Sequence, residues 1–173
     1  MARRRAQPVS LVLDRSNTMT AEEVKKYTTA EIPNRDTNME DWHNVVKYML
    51  HRPCGSMNPE ASCCQNKYGT CEHGFPQEYA PETRFEEDDG SAIYKRCSPE
   101  DGGGIHSTYI TVAKKRISFE YTSRDVVPHN LWLLKTFQCH INVEICSSLK
   151  VIKYLLWYPC LLYTSPSPRD LKL

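Results

Sequence analysis

Apolar positions along this chain recur with two different periods. Thr20-Ala-Glu-Glu23 has the form of a capping box and predicts a helix to about Thr29. Trp42, Val45, Val46 and Met49 fall at i, i+3, i+4 and i+7, so an amphipathic helix is expected over roughly residues 39–50, ended by Pro53. Two-residue alternation marks the strands. Leu11-Val12-Leu13 reads as a short buried strand, and Asp89-Gly90 as a tight turn into another around Ile93–Arg96. Tyr109–Val112 and Ile117–Tyr121 flank Lys114-Lys115 as a hairpin with a basic tip. Val126-Val127-Pro128 opens an extended segment, and Leu131–Phe137 is largely apolar and fits either period. From His140 to Cys146 the alternation is clean, with Ile141, Val143 and Ile145 on one face and His140, Asn142 and Glu144 on the other. Ser147 or Ser148 then caps a last helix that packs Leu149, Ile152 and Leu156 inward. Residues 53–90 carry no period and are rich in turn formers, and Gly102–Gly104 predicts a flexible break. The expected fold is α+β, an antiparallel sheet with helices on one side and an irregular Cys-rich loop region.

Length and composition narrow the picture. At 173 residues the chain suits one domain. A basic arm is expected over 1–10, the domain over 11–158 with its Cys/His-rich insert at about 51–76, and a disordered tail over 159–173, which contains three prolines. The charge balance, 22 basic against 21 acidic residues, gives no global pull toward nucleic acid, so any such binding must come from local patches. No apolar core follows the Arg3-Arg4-Arg5 start, which argues against a secretory signal, and no run is long enough to cross a bilayer. Without an oxidising compartment, the eight cysteines point to metal more than to disulfides.

Three groups of residues carry candidate chemistry. His51, Cys54, Cys63 and Cys71 supply four zinc-type ligands, enough for a closed structural site, with Cys64 and His73 close by in the chain. Their spacing is not that of a standard finger, and the competing reading is free buried thiols in an irregular loop. His140 and Glu144, with Asn142, share one strand face and could hold a divalent ion; the competing reading is a solvated sheet face. Tyr154 and Tyr158 stand four residues apart, which on a helix places both phenols on one face roughly 6 Å apart along the axis. Lys150 and Lys153 flank them, so a phenolate attacking a phosphodiester would have its charge stabilised. The alternative there is a core helix with snorkelling lysines. No phosphate-cradling glycine loop occurs, which argues against ATP hydrolysis.

Several segments taken in order resemble the replication-initiator (Rep, helicase-like) region of Helitron transposases, the rolling-circle DNA transposons. They are AEIP at 30–33, HNVVKYMLHRPCGSMNPEASC at 43–63, CEHGFP at 71–76, DGSAIYKR at 89–96, DVVPHN at 125–130 and CHINVEICSSLKVIKYLLWY at 139–158. The resemblance implies an HUH/Rep-like endonuclease fold acting in the nucleus on single-stranded DNA. It implies Mg or Mn as the divalent metal, Tyr154 and Tyr158 as nucleophiles, and Lys150 and Lys153 as phosphate contacts. The family's metal-binding histidine pair would fall around residues 5–10, where this chain has none, its first histidine being His43. Pro159 stops the tyrosine helix, and CLLYTSPSPRD follows where the family continues toward a helicase; that stretch resembles a translated adapter. The expectation is therefore a fragment of such a transposase without nicking activity. The alternative is a zinc-stabilised single-stranded DNA-binding module without catalysis.

Overall fold

A computed structural model describes residues 19–64, 68–88, 90–112 and 115–145. The predicted arm, the strand at Leu11–Leu13, the helix after Ser148 and the tail lie outside the described residues. Helix α1 spans Ala21–Tyr27 and starts as its capping box requires. The Thr20 hydroxyl accepts from the Glu23 amide at 3.3 Å, and Glu23 accepts from the Thr20 amide at 2.8 Å. Helix α2 runs over Met39–Tyr48. Its Val45 is fully buried, as is Met49 at its end, and Trp42 and Val46 pack against them.

Two hairpins follow. Strands β1, Arg84–Phe85, and β2, Ala92–Ile93, pair antiparallel around a turn in which Gly90 adopts φ +70°. The predicted strand is thus shorter, and Arg96 instead exchanges two backbone hydrogen bonds with Ala80, at 2.8 and 3.1 Å. Strands β3, His106–Val112, and β4, Lys115–Tyr121, form the expected second hairpin, joined through residues 113–114. Helix α3, Leu131–Phe137, settles the ambiguous apolar stretch: Asn130 caps it through the Leu133 amide at 2.9 Å, and left-handed Gln138 (φ 47°) ends it.

The described residues hold two separate two-stranded sheets, not the single sheet expected. The segments that should have joined them are extended but barely paired. Val126 bridges Leu50 and His129 bridges Thr29, while Pro128 between them has no N–H to extend the ladder. Residues 140–145 correct the strand prediction in the same way. Ile141, Val143 and Ile145 are buried in alternation, yet the run's backbone link to Pro128 is one bond, Val143 N to Pro128 O at 3.0 Å.

The main core gathers Ile32, Val45, Met49, Tyr121, Val126, Val127 and Leu134. A smaller one joins Val24, Ala30, Tyr94 and Ile145. Between them Arg96 is only 5% exposed. Its guanidinium donates to the Val126 carbonyl at 2.7 Å and to that of Ser123, so a buried cation fastens the two halves through backbone oxygens. Burial pulls its pKa down to about 10. The glycine run is also not a loose break: a Cβ on Gly104 would lie 2.5 Å from the Ile32 carbonyl oxygen, and the Gly103 amide donates to Ser98 O at 2.8 Å.

Candidate metal centre

His51 is the third residue after α2, and its amide donates to the Asp125 carbonyl at 2.7 Å. That bond fixes where the side chain leaves the core. The imidazole lies flat on Phe75, with centroids 4.3 Å apart and planes 11° from parallel. So held, its Nε2 stands 3.5 Å from Cys54 Sγ, 3.6 Å from Cys63 Sγ and 3.5 Å from Cys71 Sγ. The four ligand atoms lie within 4.8 Å of one another.

Local turns bring the thiols in. Gly55 takes φ +63° directly after Cys54, and a chain of turn bonds from Asn58 to Cys64 presents Cys63 on a 3₁₀ turn, Ser62–Cys64. Cys71 opens a second turn closed by Gly74 N to Cys71 O at 3.0 Å, with Gly74 at φ +68°. The Glu72 amide donates to Cys63 O at 2.8 Å and ties the two turns together. Cys64, one residue from a ligand, is buried, and its sulfur accepts the Gly55 amide at 3.1 Å. It braces the first turn from outside the cluster. The His73 ring sits 6.1 Å from that of His51 and is likewise not among the four.

These separations suit one ion. With Zn–N near 2.0 Å and Zn–S near 2.3 Å, a tetrahedron has N···S edges of about 3.6 Å. The charges agree with the distances. Burial raises the Cys54 thiol far above its usual range and carries Cys63 up to about 11. At Cys71 burial pushes upward too, but the Phe75 and His73 amides and the neighbouring thiols outweigh it and bring the pKa below the usual value. Burial lowers the His51 pKa, keeping its ring neutral and able to donate a lone pair. Three thiolates this close repel one another unless a cation lies between them, and a divalent ion supplies that charge. No disulfide links the described cysteines.

The structure thus brings together all four residues expected to hold zinc. The second expected ion site is not so assembled. His140 Nδ1 donates to the Tyr48 carbonyl at 2.8 Å, and Glu144 accepts from Asn142 at 3.0 Å. Among the described residues, the His51 cluster is the place where three or more potential ligands converge. Tyr154, Tyr158, Lys150 and Lys153 lie outside the described residues. Sequence reasoning missed Phe75 as the support of His51; its place four residues after Cys71 was the available signal. The chain matches no family model and none of the curated proteins with which it was compared.

Proposed function

We propose that the chain is a zinc-stabilised module that handles single-stranded DNA, of Helitron-type replication-initiator descent. One observation carries the zinc: an imidazole nitrogen and three sulfurs held at the edge lengths of a zinc tetrahedron. All four positions belong to protein, so the ion shapes the loop and offers no open place to a substrate. The six collinear segments support the descent, the HUH-like fold, the nuclear setting and the DNA partner. In this reading the Mg- or Mn-dependent tyrosine chemistry belongs to the ancestor. His140 and Glu144 offer two donors, each already hydrogen-bonded, and are a poor substitute for the family's histidine pair.

The test uses the purified full chain. Elemental analysis should find one zinc per chain, lost on Cys54→Ser or Cys71→Ser together with a lower melting temperature. Binding to a labelled single strand should weaken steeply with salt. Absence of zinc together with rapid alkylation of Cys54, Cys63 and Cys71 would refute the module. With Mn²⁺ and a labelled strand, no covalent adduct is expected; an adduct abolished by Tyr154→Phe with Tyr158→Phe would restore the transposase chemistry.

A further inference from the structure

We infer that the groove along α2 is a seat for one unpaired nucleotide, an inference that rests on the single-stranded DNA reading above. The groove encloses about 670 Å³, within the range of small-ligand sites. Asn44 lines it and is 5% exposed. An amide side chain lining a groove offers both a donor and an acceptor, which is what a base edge can pair with.

The walls fit the faces of a base. Trp42 lines the groove, with the Arg35 guanidinium 4.8 Å over its ring and the His106 ring edge-on at 5.4 Å. Held on two sides, the indole and guanidinium make a preset stacking platform, so little order is lost on binding. A second hollow of about 520 Å³ lies beyond Arg35 and Trp42, which line both, so a strand has a path past the platform.

The rim fits phosphate. His43 and Lys47, one turn apart on α2, are exposed and line the groove with Arg35. The acidic member, Glu40, lies 3.7 Å from the Lys135 ammonium, which also pairs with Asp41 at 3.0 Å. Arg35, Lys47 and Lys135 together outnumber the two carboxylates. Such a site takes a base only when its faces and edge are free, and therefore a single strand.

The experiment measures fluorescence anisotropy of a labelled oligothymidine with the zinc-loaded full chain. Arg35→Glu and Lys47→Glu are exposed changes that leave the core alone, and Lys26→Glu on α1 is the matched control. Each groove reversal should weaken binding by about ten-fold or more, with the control within about two-fold. A duplex of equal length should bind at least about ten-fold more weakly, and the Asn44 side-chain amide resonance should shift on adding the strand. Groove variants that bind like wild type would overturn the seat while leaving the DNA reading intact. Equal affinity for the duplex would also overturn it. A wild-type chain that binds no strand would sink the DNA reading and the seat together.

Discussion

At the scale of single residues, two tightly packed contacts involve one very small side chain and one very large one. Gly104 sits where its Cα faces the Ile32 carbonyl and side chain. A methyl group there must displace backbone, so Gly104→Ala should cost about 1–3 kcal/mol, read as a lower denaturant midpoint. Arg96 does the opposite work, filling space between the cores and donating to the Ser123 and Val126 carbonyls. Glycines in a row suggest slack when read along the chain, and here two of them mark contact: Gly103 faces the Cys97 carbonyl, and the neighbour that demands the smallness of Gly104, Ile32, is remote in sequence. Arg96 was similarly illegible, because burial of a charge depends on a long-range arrangement. The metal ligands were readable since His and Cys announce their chemistry by type. Choosing His51 over His73 and Cys63 over Cys64 agrees with the geometry, in which Cys64 braces the first turn and His73 stands outside the four.

Elements with local causes were the legible ones. Helix α1 follows from four consecutive residues, and Thr20→Ala should remove its cap at a cost of about 1 kcal/mol, seen as a lower melting temperature with the fold retained. Hairpin β3–β4 follows from two alternating runs a short turn apart. Helix α3 was ambiguous since Leu131–Phe137 is short and largely apolar, although Asn130 in front of it was a start signal. The single expected sheet failed for a physical reason. Alternation at Ile141, Val143 and Ile145 reports which side is buried, whereas a ladder also needs a partner with free N–H groups. Pro128 removes one of them, and the neighbouring chain pairs through isolated bridges.

For the molecule as a whole, acid is expected to act through His129. This residue is fully buried, its Nδ1–H donates to the Val127 carbonyl at 2.9 Å, and its Nε2 has no partner among the described residues. Burial, opposed by that carbonyl and aided by Arg96, pushes its pKa down to about 4. The unfolded chain, with an ordinary histidine near 6.5, then binds more protons between those values. The resulting stability is complete above about pH 6.5 and fades as pH falls toward 4, by about 3 kcal/mol. Urea titrations across that range should show a steeper loss for wild type than for His129→Gln. Equal slopes would place the acid sensitivity elsewhere.

Met49, Leu50 and His51 are consecutive, and they are in turn a core side chain, a bridge to Val126 and a candidate ligand stacked on Phe75. Surface chemistry at the cysteines is therefore mechanically coupled to the interior. With an ion held in this cluster, its removal by a chelator or an oxidant would slacken the joint between α2 and the segment beyond β4, so a small diffusible reagent would reach the packing of the interior.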